Sequence, residues 1–216
     1  MAYETVSDLI KAFREDEKDS VGPEVFWTDL QLVRFANQAL TAFAENTLSI
    51  VDDSIVVDFS AGADALPYPD YIIDVLDAQL VIGEKDWPLD VKAPVDAPRS
   101  RMPKTGRPSM LVVNGATGSM RLAAIPQQDG LVRLTVIRRQ KDELRKDSRL
   151  TDVNRAHRET LLLYIKHRAY SVKDAEVFDF VRAGQYLSEF NFECQRVYES
   201  ELRRRSAARS IRPVRW

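Results

Sequence analysis

Side chains that could do chemistry are few and widely spaced in this sequence. One cysteine, Cys194, and two histidines, His157 and His167, occur among 216 residues. On one helix, a separation of ten residues places two histidines about 15 Å apart, which is too far for them to share a metal ion. Because a conventional zinc site also needs more Cys and His ligands than the chain contains, we expect no metal and no cofactor.

Acid–base and nucleophilic chemistry also lack a suitable set of residues. Asp52, Asp53 and Asp58 lie close together, but carboxylates on a strand are usually solvated and the adjacent sequence supplies no partner for proton transfer. Packing is favoured over use as a nucleophile for Cys194, because it falls on a predicted apolar helical stripe with Val177, Val181, Tyr186, Leu187, Phe190, Val197 and Leu202. Glycine-rich phosphate loops and the Gly-x-Ser-x-Gly elbow are absent, and residues 115–119 are typical of a hairpin turn. We therefore expect that the protein is not an enzyme.

The C-terminal segment 203–216 is the most unusual part of the chain, because no acidic residue follows Glu201. Arginine is favoured at protein interfaces, since its planar group pairs with carboxylates through two bonds, and tryptophan is a frequent interface anchor. The same charge density suits phosphates. Docking on a protein, a free tail and nucleic-acid binding are all compatible with this pattern. The candidate docking residues are Arg203, Arg204, Arg205, Arg209, Ile211, Arg212, Val214, Arg215 and Trp216.

The near-neutral net charge of −2 hides a strong asymmetry along the chain. Residues 1–100 contain 20 acidic and 7 basic side chains, whereas residues 101–216 contain 13 and 24. Such polarity favours encounters between complementary surfaces, unless folding mixes the two signs. A single cysteine, no signal-peptide pattern and no apolar run of about 20 residues predict a soluble protein made in the cytoplasm, without a membrane partner.

The elements that must position these residues follow the order helices, strands, helices. Thr5 or Ser7 can cap a first helix that ends near Phe13, before the acidic residues 15–19. A capping box of Thr28 and Gln31 begins an amphipathic helix to about residue 47. Two further helices are predicted from about 152 to 171 and from a cap at Asp174 to about 204. The last would be about 45 Å long, and part of such a helix is expected to meet another chain.

The middle of the sequence favours strands. β-Branched runs at 55–59, 72–75 and 78–82 indicate extended chain. Five prolines between residues 88 and 108 indicate a long exposed loop. Runs at 110–113, 120–125 and 131–137, with turns at Asn114-Gly115 and 126–130, predict an antiparallel meander.

These elements predict an α+β fold, namely a helical bundle with an inserted antiparallel β region and an extended C-terminal tail. The predicted divisions are N-terminal helices of the bundle at 1–50, the β-rich insertion with its Pro-rich loop (88–108) at 51–140, a C-terminal helix pair at 141–202 and the basic tail at 203–216.

This order of elements resembles the head-to-tail adaptor, or connector, proteins of tailed bacteriophages. The resemblance is carried by the entry helix Trp27 to Leu40, by Tyr68-Pro69-Asp70-Tyr71-Ile72-Ile73-Asp74-Val75, by the strands 120–126 and 131–136, and by the helix pair with 161–170, Asp174-Ala175-Glu176 and Phe190. These stretches cover most of residues 25–200, and none is a short diagnostic motif. The Pro-rich loop at 88–108 has no match to the family.

The resemblance implies a structural virion protein of the neck, between the capsid portal and the tail. It implies a homo-oligomeric ring of twelve copies that contacts the portal protein and a tail or nozzle protein. Double-stranded DNA would pass through the channel of the ring without sequence-specific binding, and the C-terminal segment would reach the portal. Adaptors have no catalytic residues to carry over. The alternative is a DNA-binding accessory protein that uses the arginine-rich C-terminus, with an affinity that falls steeply with salt.

Overall fold

A computed structural model describes five stretches of the chain. Within them, the side chains of residues 114–116 and 207–210 are not described. The described stretches are 3–19, 25–94, 104–116, 118–172 and 178–210.

The chain divides into two compact units. The helical unit contains Met1–Ile50 and Arg139–Trp216, and the sheet unit contains Val51–Arg138. The helical unit is thus built from both ends of the chain, and the sheet unit is one continuous stretch between them.

Four α-helices form the helical unit among the described residues. They are α1 (Val6–Glu17), α2 (Asp29–Thr47), α3 (Arg158–Tyr170) and α4 (Phe180–Ser210), with a 3₁₀ turn at Arg155–His157 before α3.

Capping boxes begin the first two helices. The Thr28 hydroxyl accepts from the backbone N–H of Gln31, and the Gln31 amide oxygen accepts from that of Thr28. This confirms the predicted start of α2, and its predicted end near residue 47 is also confirmed. Thr5, rather than Ser7, caps α1 in the same way with Asp8. The predicted end of α1 near Phe13 is wrong, because glutamate propagates a helix well and α1 continues through Glu15 to Glu17.

The core of the helical unit follows the apolar face of α2. Its buried residues recur at the predicted helical spacing: Leu32, Phe35, Ala36, Ala39, Leu40 and Phe43. Trp27 lies just before α2, and its indole N–H donates to the carbonyl of Ala169 near the end of α3 at 3.1 Å. The rings of Phe13 and Tyr170 both contact Trp27 edge-on. Trp27 therefore joins the first three helices.

Nine strands form the sheet unit among the described residues. They are β1 (Val51–Phe59), β2 (Ala65–Pro67), β3 (Ile72–Ile82), β4 (Lys85–Lys92), β5 (Lys104–Thr105), β6 (Met110–Ala116), β7 (Ser119–Leu122), β8 (Ala124–Ile125) and β9 (Gly130–Arg138).

Seven of these strands form one sheet in the order β1-β9-β3-β4-β6-β7-β2. Neighbours are antiparallel except β4 and β6, which run parallel, and the short strands β5 and β8 form a separate parallel pair. The strands alternate inward and outward, and one face supplies the unit's buried core, including Val57, Leu80, Leu134 and Leu122. Because all these residues come from strands, the sheet must curl around its own core.

The predicted fold class is wrong in its architecture. The molecule is α+β, but about 30% of it is strand and the sheet is mixed and seven-stranded, so it is not a helical bundle with an antiparallel insertion. Two features produced the error. The sequence analysis predicts no strand at residues 65–67, but β2 lies there, and its Pro67 is tolerated because an edge strand can lack an N–H. The parallel pairing of β4 with β6 depends on contacts that no local pattern announces.

The predicted three-strand meander is correct only in part. β6 and β7 form an antiparallel pair, but β6 continues through Asn114-Gly115 to Ala116, which pairs with Ser119, so the turn predicted at Asn114-Gly115 is wrong. β9 does not continue this hairpin, because it pairs with β1 and β3. The runs at 72–75 and 78–82 belong to the single strand β3. The long loop predicted at 88–108 begins inside β4, and its residues 95–103 lie outside the described stretches.

The predicted extended tail is also wrong for its first part. α4 continues to Ser210, so residues 203–210 are helical. Arginine and alanine dominate this stretch, and both have high helix propensity. In the described stretches, no helix combines the length and apolar character needed to cross a bilayer.

A substitution pair tests the packing of the curled sheet. A Cβ atom added at Gly130 would overlap the backbone carbonyl of Val81 and lie 2.8 Å from the Phe59 ring. We expect Gly130→Ala to lower the free energy of unfolding by about 1–3 kcal/mol, measured by urea denaturation.

The matched control is Gly184→Ala in α4, where an added Cβ meets no atom within 4 Å. Because alanine favours the helix over glycine, this change should raise the free energy of unfolding by about 0.5–1 kcal/mol. Equal effects of the two substitutions would contradict the close approach at Gly130.

Candidate functional site

Helix α4 carries the described part of the predicted docking segment. Its 31 residues span about 46 Å. A carboxylate oxygen of Asp179 accepts from the backbone N–H groups of Val181 and Arg182, both at 3.0 Å, and so caps the helix. The predicted cap, Asp174, lies outside the described residues.

One face of α4 is buried within the helical unit. Ala183, Phe190, Cys194 and Val197 are at most 4% exposed. The Phe190 ring packs on Tyr164 of α3 with centroids 4.9 Å apart. These contacts place α4 along α3, as its apolar stripe predicts.

The opposite face of α4 exposes apolar side chains. Phe180, Val181 and Phe192 are 77%, 67% and 64% exposed, and Leu202 is 42% exposed. Val181 and Phe192 are eleven residues apart, so they project from the same face. The predicted apolar stripe placed Val181 and Leu202 with the core residues, which is wrong. The helical unit thus leaves several large apolar side chains of α4 exposed to solvent.

Three of the candidate arginines have described side chains near the end of α4. Arg203 is exposed. Arg204 is also exposed and pairs at 2.7 Å with Glu201, one turn earlier. Arg205 is half-buried and donates to the carbonyl of Leu48, the residue that ends α2. Arg205 therefore attaches α4 to α2, while Arg203 and Arg204 face solvent.

The other candidate docking residues are only partly described. Arg209 lies within α4, and its side chain is not described. Ile211, Arg212, Val214, Arg215 and Trp216 lie outside the described stretches. Cationic residues at a helix C-terminus interact favourably with the helix dipole, so the described arginines also suit the helix itself.

The few chemistry-bearing residues are used for packing and backbone contacts. Cys194 is buried, which confirms its interpretation as a packing residue. Burial raises the pKa of its thiol to about 12, and the Glu193 carboxylate adds to this shift. Nδ1 of His167 lies 2.9 Å from the carbonyl of Ala183, and His157 precedes the first residue of α3. Within the described stretches, no three His, Cys, Asp or Glu side chains are grouped so that they could hold a metal ion.

A buried carboxylate that sequence reasoning missed connects three helices. Glu17, at the end of α1, has a side chain only 4% exposed and accepts hydrogen bonds from the hydroxyls of Tyr170 and Tyr186. Lys166 Nζ lies 3.3 Å from Glu17 and 2.7 Å from Asp16.

The protonation of this cluster follows from its contacts. Burial, followed by the hydrogen bond from its hydroxyl to Glu17, raises the pKa of Tyr170. Burial alone would lower the pKa of Lys166, but Asp16 and Glu17 raise it overall. The tyrosines therefore remain neutral donors and Lys166 remains charged at neutral pH. The arrangement is suited to holding helices together.

Asp52, one of the three carboxylates noted in the sequence, has a partner in the sheet unit. It pairs with Arg138 at 2.6 Å, and both side chains are only about one-tenth exposed. The expectation that these strand carboxylates are solvated is wrong for Asp52, because the pairing of β1 with β9 brings Arg138 next to it. Asp53 and Asp58 are exposed.

Comparison with known proteins adds no family. No protein-family model matches this sequence, and no curated protein matches it significantly.

Burial of Cys194 has a measurable consequence. The native thiol should react at least a thousandfold more slowly with an aromatic disulfide reagent at pH 8 than a free thiol does, because the thiolate is the reactive form and the side chain is inaccessible. The rate of release of the chromophore measures this reaction.

The control is Ser188→Cys in a Cys194→Ala background, which places a thiol on the exposed face of α4. It should react as a free thiol does. Rapid reaction of native Cys194 at the same pH would show that α4 leaves α3 frequently, against the packing described above.

The Glu17 cluster predicts a stability effect. Glu17→Gln leaves Lys166 and the two tyrosines with a neutral partner, so we expect a loss of about 1–3 kcal/mol in the free energy of unfolding. Glu15→Gln is the matched control, because Glu15 is exposed on the same helix, and its effect should stay within about 0.5 kcal/mol. Urea denaturation monitored by far-UV circular dichroism measures both. Equal losses of unfolding free energy in the two variants would contradict a structural role for Glu17.

Proposed function

We propose that the protein is a structural virion component, a head-to-tail adaptor. Copies of the chain form a ring between the portal and the tail, and the ring leaves a channel for the genome. The C-terminal end of α4 and the residues that follow it dock on the portal protein. A tail or nozzle protein is the second partner, and the proposal assigns no catalytic step.

The exposed surface of α4 is the observation that supports the proposal. Only one face of this helix is covered within the helical unit, and its far end presents Arg203 and Arg204 to solvent. Such a surface is typical of a subunit that is completed by other chains. Its arginines suit carboxylates on a partner, because each guanidinium can form two parallel hydrogen bonds.

Because the docking segment begins as a helix, docking loses less conformational entropy than it would from a flexible chain. Ordering one residue of a flexible chain costs about 1–2 kcal/mol. Residues 203–210 are already helical and Arg205 is bonded to Leu48, so this part incurs little further cost. A ring of identical copies also makes docking multivalent, which strengthens an individually weak contact.

The exposed arginines can be tested without disturbing the fold. Arg203→Glu with Arg204→Glu should weaken binding to the cognate portal at least tenfold, because two charge pairs become repulsive. Binding is measured by surface plasmon resonance with immobilised portal rings. Arg205 is left unchanged, since it holds α4 against α2.

Arg196→Glu is the matched control, because Arg196 is an exposed arginine on α4 that is paired only within the helix, with Glu193. It should leave portal binding unchanged. Deletion of residues 211–216 separately tests Ile211, Arg212, Val214, Arg215 and Trp216. Full-strength portal binding by both the double variant and the deletion would contradict the proposed docking segment.

Duplex DNA binding is the alternative outcome for the same arginines. If these residues contact phosphates, the double variant loses affinity for DNA, and the affinity of the native protein falls linearly on a logarithmic salt scale. Such a result, together with no portal binding, would replace the adaptor proposal with a DNA-binding accessory role.

A further inference from the structure

The N-terminal end of α2 borders two hollows that the proposed adaptor function does not use. The larger, about 570 Å³, lies between α2 and residues 143–146. The smaller, about 450 Å³, lies between α2 and α1. Asp29 and Lys146 line both hollows, so the two hollows are neighbours on either side of this ion pair. Together they form a surface that we call the α2 groove.

Part of the lining of the larger hollow is apolar. Leu30 is 80% exposed, and Val33 lies one turn further along the same face of α2. Leu144 contributes from the opposite side. An exposed leucine beside two further aliphatic side chains, in a hollow of this volume, is suited to an apolar side chain of a partner.

Hydrogen bonds and ion pairs fix the two sides of the groove relative to each other. Asn37 of α2 accepts from the backbone N–H of Leu144 at 2.7 Å and donates to the Leu144 carbonyl at 2.9 Å. At the other end, Lys146 bonds to Asp29 at 2.5 Å, and Arg14 bonds to the other carboxylate oxygen of Asp29 at 2.6 Å. These contacts fix residues 144–146 against α2, so a partner meets a preformed surface.

Positive charge predominates around the groove. Four of its lining side chains are exposed cations: Lys11, Arg34, Arg145 and Lys146. The lining carboxylates are Asp29 and Glu143. Bonds from Lys146 and Arg14 lower the pKa of Asp29, so it stays ionised and its charge is balanced within the ion pairs, while Lys11, Arg34 and Arg145 outnumber Glu143. The N-terminal end of α2 adds its positive helix dipole.

We propose that the α2 groove binds an acidic, amphipathic segment of a partner protein. An apolar side chain of that segment lies between Leu30, Val33 and Leu144, and its carboxylates pair with Arg34, Arg145 and Lys11. This occupant follows from charge complementarity. The chain's own residues 211–216 contain two arginines and no acid, so their charge is the wrong one for this surface.

The inference is independent of the adaptor proposal, which concerns the end of α4. The probe is a fluorescein-labelled synthetic peptide of about four helical turns, with leucines on one face and glutamates on the other. Fluorescence anisotropy measures its binding to the full chain. We expect binding that weakens at least fivefold between about 0.05 and 0.5 M salt, because the pairs are exposed to screening.

Two variants locate the binding. Leu30→Glu should weaken it at least tenfold, and it should fold normally because Leu30 is mostly exposed. Arg34→Glu with Arg145→Glu should weaken it to a similar extent. The controls are Leu202→Glu and Arg196→Glu on α4, which change an exposed leucine and an exposed arginine away from the groove and should leave binding unchanged.

Several outcomes would overturn the inference. No binding of the acidic peptide would do so, as would equal binding of a peptide with lysine in place of every glutamate. Unchanged binding by both groove variants would place the peptide elsewhere. Self-association of the native chain that Leu30→Glu abolishes, measured by sedimentation velocity, would show that the occupant is a second copy.

Discussion

The position of helix α4 depends on one buried carboxylate, that of Glu17. A charged group in an apolar interior is costly unless its oxygens are paired and hydrogen-bonded. Here the two tyrosine hydroxyls and Lys166 satisfy it, and Arg182 lies 3.7 Å away. Tyr170 and Lys166 belong to α3, whereas Tyr186 and Arg182 belong to α4. Since Glu17 contacts groups of both helices, the end of α1 helps to specify how α3 and α4 pack.

The exposed surface of α4 follows from this packing. Once Phe190 and Cys194 are buried against the rest of the helical unit, Phe192 and Val181 must face outward, because a helix cannot turn all its apolar residues to one side. The length of α4 adds to this effect. Its last turns are attached through Arg205 to the end of α2, which leaves Arg203 and Arg204 in solvent. The contacts that hold α4 in the helical unit thus also determine which of its side chains are exposed.

Local signals in the sequence predicted local structure well. The pair Thr28 and Gln31 specifies the start of α2 through bonds within four residues, and no distant contact can easily override it. The sheet order could not be predicted in this way, because β9 lies between β1 and β3 through pairings that link residues far apart in the sequence. Glu17 and Asn37 were missed for the same reason, since their partners are more than 100 residues away. The helical state of 203–210 was predictable, because Glu201 and Arg204 form an i, i+3 pair in a stretch rich in arginine and alanine. The absence of acidic residues after Glu201 does not by itself make a segment extended.

Two cationic surfaces on one chain raise the question of whether they act together. The groove begins at Asp29 and the α4 arginines lie beyond Leu48, so the length of α2 separates them by about 28 Å. At physiological ionic strength the Debye length is about 8 Å, and charges this far apart barely affect each other. Each of the two proposed docking surfaces would therefore attract its own acidic partner, although the whole chain carries a net charge of −2. Under both proposals, a partner is selected by the charges within reach of its surface and by the apolar side chains between them, and the net charge of the chain has little part in that selection.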